Sequence, residues 1–247
     1  MTKTTIPLPD ATPKPLVITF GNLKGGVGKT TSAFFLACYF AIDLELRVLY
    51  IDADPLSQTG YAWHRRLKTG GVEVPFELVA FPSSHVDDCV KDNAAKFDVI
   101  IVDVGGESPE IFKSAVTVSN ELVLVAGVTP SEVNRIPPTF KAAEEAASSA
   151  ATPIDVNVRV LLTKVPTVVR NGKNISAEYR TQRANLEDAG YDVFESFLSA
   201  WKWYREAADG KLHEGAENPI EDRAEYAAVA QELLDSYRET QGEEVSA

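Results

Sequence analysis

Lys24, Gly25, Gly26, Val27, Gly28, Lys29, Thr30 and Thr31 bring three glycines, two lysines and two hydroxyls into one turn. The glycines let the backbone curl until successive N–H groups point the same way, which makes a concavity suited to phosphate oxygens. The turn follows Leu16-Val17-Ile18-Thr19-Phe20, an apolar run that reads as a buried strand, and precedes Ser32–Phe40, which reads as a helix. A helix N-terminus adds partial positive charge at the same spot. The chemistry is binding of a nucleoside triphosphate. Gly25 to Thr30 would cradle the phosphates, Lys29 would reach the β- and γ-phosphates, the Thr30 hydroxyl would ligate Mg²⁺, and Thr31 would reach the α-phosphate. The common pattern, G-x-x-x-x-G-K-[ST], wants its first glycine where Leu23 stands, and a second lysine, Lys24, opens the loop. Lys24 is either a solvated charge or a cation held beside the phosphates, including those of a second subunit.

Two further turns carry acid. Val48-Leu49-Tyr50-Ile51 ends in Asp52-Ala53-Asp54-Pro55, and Val99-Ile100-Ile101-Val102 ends in Asp103-Val104-Gly105-Gly106. With the lysine-rich loop, these resemble the motifs of the deviant Walker A ATPases, the group that includes ParA, MinD and the nitrogenase iron protein. The resemblance spans residues 16 to 240. It implies that Lys24 crosses a dimer interface to the partner's nucleotide, so that ATP glues two subunits together. It also implies that Asp54 positions or activates the attacking water and that Asp52 supports the metal shell. Asp103, directly or through water, would hold Mg²⁺ with Thr30, and Gly105 and Gly106 would form a switch that moves when the γ-phosphate leaves. Read locally, Asp54 is equally a helix cap or an Asx-turn before Pro55. The family commonly has proline after the Asp-x pair; Val104-Gly105-Gly106 is nearer the nitrogenase-type and small plasmid ParA versions.

The elements must bring those turns together. Strands are expected at 16–21, 47–52, 76–81, 97–103, 120–126 and 154–163, with a weaker seventh at 193–198. Helices are expected at 29–43, 57–68, 83–95, 109–118, 131–150, 173–189, 201–208 and 221–239. Pro137-Pro138 should start or kink the long Ala-rich helix. Alternation of this kind gives an α/β fold: a mostly parallel twisted sheet with helices on both faces, of the P-loop NTPase class. In such sheets ligands bind at the carboxyl ends of the strands, where all three motifs fall. Residues 1–15 read as a flexible arm, 16–240 as one ATPase domain and 241–247 as a flexible acidic tail.

Composition narrows the class. The chain has 247 residues and a net charge of −12, with 12 acidic against 3 basic residues from Glu206 onward. Cys38 and Cys89 have neither disulfide nor metal spacing, so both read as structural cysteines in a reducing cytoplasm. Bridging cysteines after the third motif, which a nitrogenase-like reductase would need, are missing. By resemblance the leading reading is a small ParA-type partition ATPase, cytoplasmic and nucleoid-associated. Its ATP dimer would bind DNA without sequence preference, and a ParB-like centromere-binding protein would stimulate hydrolysis. From Arg159 to Arg183 six basic residues face one acid. Lys164, Arg170, Lys173, Arg180 and Arg183 are the DNA candidates, with a solvated surface as the alternative. A second reading is a ParA/MinD-like ATPase that positions a protein assembly on nucleoid or membrane. A membrane is disfavoured, because the last helix carries acid where anionic lipid requires base. Val128-Thr129-Pro130-Ser131 resembles a segment preceding an interface helix, and Ser131 is also a good N-cap. The loop after the sixth strand, Leu162 to Pro166, is where relatives place adenine-contacting groups.

Overall fold

A computed structural model describes residues 14–23, 25–150, 155–166, 176–211, 219–221 and 223–246. Seven strands form one sheet: β1 (Leu16–Gly21), β2 (Val48–Asp52), β3 (Glu77–Ala80), β4 (Val99–Asp103), β5 (Glu121–Gly127), β6 (Asn157–Thr163) and β7 (Asp192–Val193). Their order is β3-β2-β4-β1-β5-β6-β7, and every pairing is parallel. β1, β2, β4 and β5 are buried from end to end, as strands covered on both faces must be.

The period of two divides each strand between two cores. Leu16, Ile18, Phe20, Tyr50 and Ile101 face α1 (Lys29–Cys38), α2 (Thr59–Thr69), α8 (Lys202–Ala208) and α9 (Ala224–Ser246). Val17, Ile51, Ile100 and Leu124 face α3 (Val86–Asn93), α4 (Pro109–Val116), α6 (Ile136–Ser148) and α7 (Ala177–Asp188). The first core is aromatic. Phe34 stacks on Trp63 at 4.0 Å, Phe35 stacks on Tyr226 at 5.5 Å, and the Trp63 indole donates to the Ala207 carbonyl at 2.9 Å. These contacts bind α1, which leaves the lysine-rich loop, to α2, α8 and α9.

Element boundaries differ from the sequence reading where local chemistry intervenes. The expected helix at 131–150 is two helices, α5 (Pro130–Val133) and α6, whose first turn contains Pro137. Ser131 is not the cap of α5. Pro130, with its preset φ, takes the first helical position and moves the cap to Thr129. α1 ends at Cys38 and continues as a π-helical turn through Asp43. α9 runs on through Ser246, past the expected end at 239, because Gly242 lowers helix propensity without forbidding it. The Ser176 hydroxyl caps α7 by accepting from the Tyr179 amide at 3.1 Å.

α9 is also tied down by buried polar groups. Glu121, 1% exposed at the start of β5, accepts from the Ser236 hydroxyl at 2.5 Å and from Asn157 Nδ2. Burial, partly offset by Ser236, Asn157 and Arg159, raises its pKa to about 7. A raised folded-state pKa favours the folded chain at low pH, and that contribution is lost as pH rises through the folded value. The melting temperature should therefore fall between about pH 5 and about pH 8, and Glu121→Gln should lessen that fall in calorimetric scans. An unchanged pH profile in the variant contradicts the assignment.

Candidate functional site

The turn between β1 and α1 is shaped by what its carbonyls meet. Gly26 and Gly28 have φ of 75° and 105°, in the left-handed region that favours glycine. The Thr163 hydroxyl donates to the Val27 carbonyl at 2.8 Å, and the Ser32 amide donates to the Gly28 carbonyl at 2.9 Å. Lys164 Nζ donates to the Gly26 carbonyl. Three successive carbonyls of the loop are thereby engaged. Lys29 opens α1 and is 8% exposed. Burial lowers its pKa, and the nearby Asp103 and Asp54 carboxylates oppose that shift. Lys24 lies outside the described residues.

The sheet register brings the acidic turns alongside. Asp103, at the end of β4, is in register with Asp52 of β2 and with Phe20 of β1. Asp103 is buried, and loss of hydration pushes its pKa to about 7 despite hydrogen bonds from the Thr30 and Tyr50 hydroxyls. The Tyr50 bond is 2.8 Å long. Thr30 and Asp103, two of the three metal candidates, are thus joined directly. The third, Asp52, is fully buried and turned to amides: it accepts from Asp54 at 3.2 Å and from Tyr61, in the first turn of α2, at 2.8 Å. Hydroxyl and carboxylate oxygens with two desolvated carboxyl groups fit a small, hard divalent cation, whose charge would relieve their crowding.

Asp54 sits in the Asx-turn that its sequence context allows. One oxygen accepts from the Leu56 and Ser57 amides, and the other accepts from the Ser57 hydroxyl at 2.6 Å. Burial works against its charge, but these bonds and Lys29 outweigh it, holding the carboxyl below its ordinary pKa. Asp54 therefore stays anionic. Gly105 is required beside it, because a Cβ there would lie 2.8 Å from Asp54 Oδ1.

The glycine loop, Lys29, Thr30 and Asp54 face one cavity of about 880 Å³. One end is lined by Gly25, Gly26, Gly28, Lys29, Thr30, Thr31, Asp54 and Gly106. The other end has walls from Ser199, Ala200, Trp201, Tyr204 and Tyr226. A single carboxylate organises that second wall. Glu225 accepts from the Ser199 amide at 2.9 Å, from the Trp201 indole at 3.1 Å and from the Tyr204 hydroxyl at 3.1 Å. Glu225 reads from sequence as one more acid on a helix, and nothing in its spacing marks it. Val27 is buried in the core beneath the loop.

Among the described residues, three members of the basic stretch are engaged within the chain. Arg183 is spent on the Phe194 carbonyl at 2.6 Å and on Glu187 and Glu195. Arg159 lies over the Phe194 ring and pairs with Glu232 and Asp192. Lys164 is engaged at the phosphate loop and with Glu132 at 3.1 Å. Arg180 is exposed on α7, while Arg170 and Lys173 lie outside the described residues.

Three motifs meet at the carboxyl ends of β1, β2 and β4, in a parallel sheet with the fold of the ParA-like P-loop NTPases. Residues 16–92 match the profile of an AAA domain family. Over 232 residues the chain is 29% identical to maintenance of carboxysome distribution protein A of Gloeobacter kilaueensis, covering 91% of this chain and 96% of that protein. The McdA–ATP complex of Cyanothece superposes with a TM-score of 0.68 at 17% identity, over 90% of this chain and 97% of that one. The pNOB8 ParA structure bound to nonspecific DNA gives a TM-score of 0.59 at 17% identity, over 91% and 99%.

The Asp54–Gly105 contact gives a direct test. Gly105→Ala should push the Asp54 carboxylate out of place, lowering steady-state ATP hydrolysis by about tenfold or more while leaving nucleotide affinity within a few-fold. Full activity in this variant would show that the contact is dispensable.

Proposed function

We propose that the chain is an ATP-driven positioning switch: a dimer closed around ATP that holds DNA nonspecifically and releases it on hydrolysis. The observation that carries this is the meeting of the glycine loop, Lys29, Asp54 and Gly106 around one cavity of about 880 Å³, with Asp103 hydrogen-bonded to Thr30 of its lining. The loop N–H groups and Lys29 bind the triphosphate, and the exposed ring of Trp201 offers aromatic surface to the nucleoside end. Thr30 and Asp103, with Asp52 behind them, would hold Mg²⁺, which would supply charge neutralisation for the phosphates. Asp54, anionic and close to Lys29, orients the attacking water once it leaves the Ser57 hydroxyl. Gly105 and Gly106 pass the loss of the γ-phosphate to the subunit surface.

Lys24 reaches the partner subunit's nucleotide in this reading, so dimerisation and catalysis depend on the same side chain. DNA contact falls to the exposed Arg180 with Arg170 and Lys173, and a ParB-like protein stimulates hydrolysis when the cargo is DNA. The similarity to a carboxysome distribution protein supports a second cargo class, a large protein assembly carried on the nucleoid. Both cargoes use one ATP cycle. A soluble, nucleoid-associated location follows, with no need for a membrane.

Sedimentation with and without Mg²⁺-ATP tests the scheme. The wild-type chain should dimerise with ATP, and Asp54→Ala should stay dimeric and retain DNA for longer. Lys24→Ala should bind ATP yet remain monomeric; ATP-dependent dimerisation in that variant refutes the proposed role. Charge reversal at Arg170, Lys173 and Arg180 should abolish DNA retention, and wild-type retention should weaken steeply with salt.

A further inference from the structure

Lys164 is the first residue after β6 and has a φ of 53°, a left-handed conformation that side-chain-bearing residues seldom adopt. Its ammonium joins two groups: the Gly26 carbonyl of the phosphate loop and Glu132 Oε1 on α5, at 3.1 Å. Glu132 is 9% exposed, and its second oxygen accepts from the Thr129 hydroxyl at 2.7 Å. Glu132 also lies against Gly127, at the end of β5, where a Cβ would collide with the carboxylate. The neighbouring Thr163 holds the next carbonyl of the loop, that of Val27.

Two consecutive residues at the end of β6 thus hold two consecutive carbonyls of the loop, and a nearly buried acid fixes the first of them. A peptide unit whose carbonyl is pinned has the direction of its following N–H fixed as well. We infer that Lys164, aimed by Glu132, is a positioning residue of the phosphate-binding loop: it sets the Gly26 peptide so that the Val27 amide faces the β- and γ-phosphates. The inference rests on reading the cavity as a nucleotide site and adds a device to it. The strained backbone of Lys164 fits this role, because the left-handed turn directs the side chain back across the loop instead of along the sheet edge. A basic residue engaged in this way is not available to DNA in the described conformation.

The left-handed backbone also supplies a clean variant. Glycine is at ease at this φ, so Lys164→Gly removes the ammonium without adding backbone strain. Titration calorimetry on the full chain with AMPPNP, inorganic tripolyphosphate and AMP reads the effect. Lys164→Gly should melt within a few degrees of wild type, weaken AMPPNP and tripolyphosphate about tenfold or more, and leave AMP within about twofold. Glu132→Gln should weaken AMPPNP a few-fold in the wild-type background and have no further effect in Lys164→Gly. AMPPNP affinity within about twofold of wild type in Lys164→Gly overturns the inference, as does an equal loss for all three ligands. So does a Glu132→Gln effect that persists at full size in Lys164→Gly. Failure of the wild-type chain to bind AMPPNP sinks the nucleotide reading itself, and the inference with it.

Discussion

A loop that offers its amide hydrogens to one side must satisfy its carbonyls on the other, and the architecture around the glycine turn is arranged to do so. The carbonyls of Gly26, Val27 and Gly28 are met by Lys164, Thr163 and the Ser32 amide. Two of these donors come from the end of β6, which does not touch β1 directly; β5 lies between them. The phosphate loop is therefore braced across the sheet. That brace explains why β5 and β6 share seven residues of register, ending with Gly127 opposite Thr163. Any slip of that register by one residue would carry both donors away from the loop.

Charge at the strand ends follows the same logic. Asp54 and Asp103 stand near the buried ammonium of Lys29, with Asp52 in register beside Asp103, and the three carboxylates do not share one fate. Asp54 is held charged by hydrogen bonds, whereas Asp52 and Asp103 are driven toward neutrality by burial. Groups with environments that push their pKa values apart are suited to different tasks within one site. On the opposite side of the cavity, α9 does comparable work with Glu225 and Glu232. The first fixes the Ser199–Tyr204 wall, and the second caps the amides of Glu195 and Ser196.

Much of this was legible in the residues themselves. The strands of a doubly covered sheet are short runs of Val, Ile and Leu, and their order of appearance with helices between them left few alternatives to the observed fold. The glycine loop and the acidic turns were legible because turn chemistry and strand ends are local. Asp54 shows the limit: its Asx-turn and its place beside Gly105 both exist, so neither local reading excluded the other. Lys164 and Glu225 were illegible because their meaning depends on partners 138 and 26 residues away. The pairing of two members of the basic stretch was illegible for the same reason. Spacing along the chain could not reveal that Arg159 and Arg183 are spent on α9 and on the turn after β7.

Of the three tryptophans, Trp63 is sealed in the aromatic core, whereas Trp201 stands 39% exposed on the cavity wall with its indole nitrogen tethered to an acid. An indole placed there changes its surroundings whenever something fills the space in front of it. The molecule consequently carries its own optical gauge of occupancy, built from a side chain already present, and its ultraviolet emission follows arrival and departure in real time without an attached dye.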